Sequence, residues 1–204
     1  MKSHFFAYIA RMRFIQRWAL MRNTASENVQ EHSHQVAVLA HALAVIRNRF
    51  FGGTVDPGTV AVAALYHDAS EILTGDMPTP IKYYNPAIRD AYKDVEALAE
   101  RKLTEMLPPA LQEDYRSILT IRDPEVAALV KAADKLSAYI KCLEELKAGN
   151  NEFREAAAQT RQALEGYGLP EVDYFLKTFL ESFSLSLDEL KYTTRQPMGC
   201  RVFI

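Results

Sequence analysis

The sequence predicts an all-α, single-domain fold, and three observations carry that prediction. Apolar residues recur at steps of three and four along most of the chain, no stretch alternates with the two-residue period of a half-buried strand, and cap-then-proline pairs restart the chain after its breaks. At 204 residues, 49% hydrophobic and 25% charged, the chain can bury one sizeable core. Residues 1–192 read as that domain. The tail 193–204, with Pro and Gly and no helical period, is expected to be poorly ordered.

Ser3 opens a first helix in which Phe5, Phe6, Ile9, Met12 and Phe14 alternate with Arg11, Arg13 and Arg17, ending near Trp18. Asn28 followed by Glu31 has the spacing of a capping box, and the helix it starts carries His32, Val36, Leu39, Leu43 and Ile46 on one stripe. Phe51-Gly52-Gly53 breaks it. Asp56-Pro57 begins an alanine-rich helix predicted to run to about Leu73, and Thr74-Gly75-Asp76-Met77-Pro78-Thr79-Pro80 follows as a stiff turn. After Asn85-Pro86 a long amphipathic helix is expected to about Leu107, with Tyr92, Val95, Leu98 or Ala99, Leu103 and Met106 as its stripe, ended by Pro108-Pro109. A shorter helix spans about 111–121. Asp123-Pro124 starts one that stops at Gly149-Asn150, and two more are predicted near 152–165 and 171–183. The aromatic run Tyr174, Phe175, Phe179 and Phe183 in the last suits a core or a subunit interface.

Charge and cysteine usage exclude several classes. A net charge of −2 and a pI near 6.2 give no global reason to bind a nucleic acid polymer or an anionic membrane, although Arg11, Arg13, Arg17 and Arg22 form a local basic cluster. Two cysteines, Cys142 and Cys200, make no disulfide framework, so a reducing cytoplasm fits best. The N-terminus lacks the apolar core of a signal peptide, and no run reaches the roughly 18 apolar residues of a membrane span.

Within the helix after Asp56, His67-Asp68 sets an imidazole beside a carboxylate in an apolar run, and Glu71 lies on the same helical face. Imidazole nitrogen and carboxylate oxygen are good ligands for first-row divalent cations. Alone, the dipeptide equally describes a hydrogen-bonded pair in a core, a histidine on an apolar stripe such as His32 is commonly structural, and Asp134 could be solvated or paired with Lys131 or Lys135. Together His32, His67-Asp68 and Asp134 come from three helices and would leave open positions on a six-coordinate ion, as a catalytic metal requires. His34, two residues after His32, competes for its role; His32 is preferred because it directly follows the Glu-Asn-Val-x-Glu pattern and lies on the stripe shared with the core.

The order H…HD…D is similar to that of the HD-domain metal-dependent phosphohydrolases. Flanking residues bring the likeness closer: Arg17-Trp18, Glu27-Asn28-Val29-Gln30-Glu31-His32, Tyr66-His67-Asp68-Ala69-Ser70-Glu71, Thr74 to Pro80, Lys131-Ala132-Ala133-Asp134 and Leu143 to Phe153 resemble the YfbR-type bacterial 5'-deoxynucleotidases, from Ser3 to about Glu189. The resemblance implies a helical HD-domain bundle that hydrolyses deoxyribonucleoside 5'-monophosphates with one divalent ion such as Co or Mn, as a homodimer. It implies His32, His67, Asp68 and Asp134 as metal ligands and Glu71 and Arg17 as catalytic residues. Arg17, Trp18, Asp68, Asp76, Met77, Pro78, Thr79 and Asp134 are the implied substrate contacts. The rivals are another HD activity, on triphosphates or phosphodiesters, and a nucleotide sensor without catalysis.

Overall fold

The computed structural model describes residues 2–82 and 84–190, and the tail 193–204 with Cys200 lies outside the described residues. The fold is all-α: among the described residues there is no strand, only an isolated antiparallel bridge between Gln16 and Asn28.

The first helix is shorter than its apolar pattern suggests. α1 (Phe5–Ile9) passes into a 3-10 turn, Ala10–Phe14, and the chain turns extended at Ile15 instead of continuing to Trp18. Backbone bonds from Arg17 N–H to the Glu27 carbonyl (2.9 Å) and from Val29 N–H to the Ile15 carbonyl (3.0 Å) take the groups that a longer helix would have used. His4 occupies the N-cap position without a side-chain bond, while the Ser3 hydroxyl accepts from the Phe5 N–H at 3.4 Å and donates to the Met106 carbonyl at 2.6 Å. The loop from Trp18 to Glu27 is thereby pinned at its base.

α2 (Val29–Phe50) begins with the expected capping box, Asn28 accepting from the Glu31 N–H and Glu31 answering to the Asn28 N–H. α3 (Pro57–Tyr66) is capped by Asp56 and ends seven residues earlier than the predicted Leu73. The Ala64 carbonyl accepts from the His67 ring, Nδ1 to O 2.7 Å, where a continuing helix would offer it to Asp68. Residues 67–70 then form tight turns, with Ala69 N–H donating to the Tyr66 carbonyl and Glu71 N–H to that of Asp68, before α4 (Glu71–Thr74). Gly75, at φ 72°, turns the chain into the loop that leads to α5 (Thr79–Lys82).

α6 (Pro86–Glu105) packs on α1, α4, α5 and α7 (Pro109–Leu119). Tyr92, Ala99 and Leu103 are buried as the pattern indicates, whereas Val95 and Leu98 are 47% and 43% exposed, because α6 lies at the side of the molecule and has neighbours on one face only. α8 (Pro124–Lys147) starts on Asp123 and stops at Gly149, φ 86°, as expected. After a 3-10 turn at Asn151–Phe153 come α9 (Arg154–Gly166) and α10 (Pro170–Thr178), the latter interrupted at Phe179 before a further 3-10 turn, Leu180–Ser184. Of the aromatic run Phe175 is buried while Phe179 stays exposed.

The main core lies between α2, α3, α8 and α10. Leu39, Leu43 and Ile46 meet Leu129, Leu136 and Ile140, each side chain contributing roughly 1.5–3 kcal/mol through burial. Alanines 37, 40 and 44 on α2, 63 and 64 on α3, and 132 and 133 on α8 are buried with them. Such small side chains let three helix backbones approach closely, which brings polar groups at the start of α2, the end of α3 and the middle of α8 near one another. Cys142 is a buried free thiol, and burial pushes its pKa up to about 11, so it is unreactive.

Candidate metal and phosphate site

His32 is in the first turn of α2, fully buried, and its two ring nitrogens have different tasks. Ser137, one turn beyond Asp134 on α8, gives its hydroxyl hydrogen to Gln35 Oε1 (2.9 Å), so its oxygen accepts from His32 Nδ1–H at 3.2 Å. That tautomer leaves a bare lone pair on Nε2. His67 is arranged the same way, because Nδ1–H donates to the Ala64 carbonyl and frees its own Nε2.

Both lone pairs face carboxylates. His32 Nε2 lies 3.1 Å from Asp134 Oδ1 and 3.6 Å from Asp68 Oδ2, and His67 Nε2 lies 3.2 Å from the same Asp68 oxygen. Ligand atoms of His32, His67 and Asp68 all lie within 4.8 Å of one another; Asp134 stands outside that tightest group and joins it through His32. The two Nε2 atoms are buried and have no hydrogen-bond partner. Lone pairs pointed at carboxylates repel unless a positive charge lies between them, so these donors fit a divalent cation. The electrostatics agree: burial opposes ionisation of all three groups, yet Asp68 raises the His67 pKa to about 9, His67 lowers that of Asp68 to about 2, and His32 holds Asp134 well below the usual carboxylate range. The carboxylates thus favour a positive charge between these donors. His34, the competing histidine, is exposed on another face of α2.

Glu71 opens α4, only 8% exposed, with Oε2 lacking a partner. Burial, then the charges of Asp68 and Asp76, push its carboxyl up to about 9, against the pull of Arg17 and Lys82. The tight turn at 67–70 replaces the shared helical face predicted for Glu71, but keeps it within the field of Asp68. Asp76 belongs to the same field, its pKa raised by burial and Asp68 while Arg17 and His32 oppose. Met77 and Pro78 are half-buried next to it in sequence, and Thr79 is exposed at the start of α5.

Arg17 reaches in from the pinned loop, Nη1 lying 3.4 Å from Asp68 Oδ2 and Nε 3.3 Å from Glu27 Oε2. Burial works against its charge, but Asp68, Asp134, Glu27 and Asp76 raise its pKa above the ordinary value. Trp18 follows with φ 59°, the described non-glycine residue in the left-handed region, a conformation that costs roughly 1–3 kcal/mol. Its ring lies against Phe153, centroids 5.3 Å apart, and Nε1–H donates to Glu27 at 2.8 Å. Arg11 and Arg13 instead lie over the exposed Phe14 ring, at 5.7 and 4.9 Å, and Arg22 is exposed. Of the N-terminal basic cluster, Arg17 is the member ion-paired to a ligand candidate among the described residues.

The loop rests on groups that periodicity does not single out. Glu145 of α8, 1% exposed, accepts from the N–H groups of Thr24 and Ala25, the Thr24 hydroxyl (2.7 Å), Asn150 Nδ2 (2.8 Å) and Lys141. Lys141 in turn donates to the Ala25 carbonyl at 2.6 Å. An i, i+4 Lys–Glu pair reads as a solvated helix face; here it is buried because the loop covers it. Ser137 had a sequence signal, three residues beyond Asp134 and so on the same face.

A family model described as 5'-deoxynucleotidase YfbR-like matches residues 4–183. The chain is 54% identical over 191 residues to a protein of Photobacterium profundum named 5'-deoxynucleotidase, covering 93% of this chain and 98% of that one. Its fold is similar to an HD-domain phosphohydrolase from Listeria innocua, with a TM-score of 0.77, 25% identity and 88% of each chain covered. A cyanophage S-2L HD phosphohydrolase, solved with dA and one catalytic Zn2+, shares the fold at a TM-score of 0.59 and 19% identity, over 86% of this chain and 96% of that one.

Proposed function

Because the chain belongs to the YfbR-like 5'-deoxynucleotidase family, we propose that His32, His67, Asp68 and Asp134 hold its divalent metal and that Arg17, Trp18, Glu71 and the Asp76 to Thr79 loop handle the substrate around it. The enzyme is a metal-dependent phosphohydrolase that converts deoxyribonucleoside 5'-monophosphates to deoxynucleoside and phosphate. The observation that carries the ligand assignment is the pair of buried, unpartnered Nε2 atoms aimed at Asp68.

When bound, the ion supplies Lewis-acid polarisation of a phosphate oxygen and lowers the pKa of a coordinated water. Arg17 offers a planar, permanently charged fork to the phosphate dianion, oriented by its bonds to Glu27 and Asp68. Glu71 exchanges the proton that passes between the attacking water and the leaving 5'-oxygen. Asp68 and Asp134 border the phosphate as well as the ion. Trp18 fills the space beside the sugar and excludes a 2'-hydroxyl, since bulk discriminates against an added group where no hydrogen bond can read its absence. Asp76, Met77, Pro78 and Thr79 form the facing wall. One arginine at the site suits a monophosphate better than a triphosphate. Co or Mn fits the mixed nitrogen and oxygen donors, and the enzyme acts in the cytoplasm as a homodimer; among the described residues no helix is long and apolar enough to cross a membrane.

Phosphate release from paired deoxyribo- and ribonucleoside 5'-monophosphates tests this reading, using metal-stripped protein with and without added Co or Mn. The expected result is turnover of the deoxy member that appears only on adding metal. Turnover that ignores the metal would remove the ligand assignment. Trp18→Ala is expected to lower the deoxy-to-ribo ratio of kcat/KM by about tenfold or more; an unchanged ratio would take Trp18 away from the sugar.

A further inference from the structure

The two loop residues assigned to the substrate are gripped by one carboxylate that has no assigned role. Glu27 Oε2 accepts from Trp18 Nε1 at 2.8 Å and from Arg17 Nε at 3.3 Å, and Glu27 Oε1 lies 3.9 Å from Nδ1 of His32. Its own backbone carbonyl accepts the Arg17 N–H, so the residue holds its two neighbours by main chain and side chain together. The Glu27 side chain is 11% accessible, and Glu27 lines a cavity with Ser26, Glu31, His34 and Gln35 that none of Arg17, His67, Asp68 and Asp134 lines.

We propose that Glu27 is a positioning residue that locks Arg17 and Trp18 into one unit and thereby sets the discrimination against a 2'-hydroxyl without contacting the substrate. The Trp18 ring packs on the buried cluster of Cys142, Phe153 and Ala157, and the bond from Nε1–H to Glu27 is the hydrogen bond described for its side chain, so Glu27 fixes the polar edge of an indole whose apolar face is already seated. Arg17 is held at Nε by Glu27 and at Nη1 by Asp68, so its remaining donors stay directed at the phosphate. The oxygen that orients the phosphate fork therefore also orients the sugar wall. This inference rests on the reading of Trp18 as that wall.

Trp18 is the chain's single tryptophan, so its fluorescence reports its position without any substrate. The metal-loaded full chain is compared with Glu27→Ala, Glu27→Gln and Trp18→Ala, reading emission maximum, metal content, and kcat and KM for a deoxyribo- and ribonucleoside 5'-monophosphate pair. Glu27→Ala is expected to shift the emission to longer wavelength and to lower the deoxy-to-ribo ratio about tenfold, with metal content unchanged. Glu27→Gln keeps an acceptor for the indole but loses the charge that holds Arg17, so emission and ratio should match the wild type while KM for both nucleotides rises about tenfold. Wild-type emission and ratio in Glu27→Ala would overturn the proposal and leave the Trp18 wall standing, provided Trp18→Ala itself lowers the ratio. An unchanged ratio in Trp18→Ala would remove the wall, and the proposal with it. Should Glu27→Ala fail to fold, an unchanged KM in Glu27→Gln overturns the lock.

Discussion

Glu71→Gln is expected to lower kcat by about two to four orders of magnitude while the protein retains its metal and its melting temperature. Glutamine reproduces the shape of the side chain and cannot exchange a proton. The carboxyl is buried with one oxygen unpartnered, and burial, Asp68 and Asp76 raise its pKa to about 9 in the protein without metal. A divalent charge held by Asp68 would act in the opposite sense and lower it. Because Oε2 makes no hydrogen bond, its loss removes no native contact, and stability should be level or slightly improved. Single-turnover phosphate release, metal analysis and a thermal melt check the three parts together. Retention of wild-type kcat would exclude Glu71 from proton transfer; loss of the metal would move it into the ligand set.

Glu145→Ala is expected to destabilise the fold by about 3–5 kcal/mol, the range for removing one partner of a buried, hydrogen-bonded charge pair. Lys141, itself 4% exposed, would be left without its carboxylate, and Thr24 and Ala25 would lose their anchor. The loss should depend on pH in a definite direction. Burial raises the Glu145 pKa, but hydrogen bonds from Lys141, Asn150 and Thr24 outweigh it and hold the carboxyl well below its ordinary 4.5. A folded pKa below the unfolded one means that the carboxylate stabilises fully above about 4.5 and that this contribution fades as pH falls toward the folded value. Denaturant melts of wild type and Glu145→Ala should therefore differ most near neutrality and converge below pH 4.5. A gap that stays constant into acid would show that the charge is not what stabilises the loop.

Helix caps and punctuation were the most legible part of this sequence. Asn28, Asp56 and Asp123 each bond the N–H groups that their positions predict, because capping depends only on residues within one turn. The failures involve partners distant in the chain. Phe14 to Trp18 has helical spacing, yet Ile15 and Arg17 pair with Glu27 and Val29, which no local pattern announces. Leu98 fits the stripe of α6 as well as Ala99 does, and only the one-sided packing of that helix decides between them. In the site, His67-Asp68 stood out as a polar pair in an apolar run with Glu71 at helical spacing from it, His32 and Asp134 only in combination with that pair, and Arg17-Trp18 through the family resemblance. Their supports on helices, Ser137, Gln35 and Glu145, were not singled out for these roles, since a polar residue on a helix ordinarily faces water, and Glu27, in the loop before α2, entered only within the family motif.

The short α3 has a consequence for how the gene can change. His67 and Asp68 lie at the end of a ten-residue helix whose start is fixed by Asp56 and whose flank is fixed by Ala63 and Ala64 in the core. Adding one residue inside it would rotate everything downstream by about 100° and advance it by about 1.5 Å. His67 would then swing away from His32, and its ring could no longer cap the carboxyl end of α3. In an insertion scan, the segment from Pro57 to Tyr66 should thus reject every added codon. The length of α3 acts as a ruler, and drift in this family is expected to spare that length even where every side chain on its outer face has been replaced.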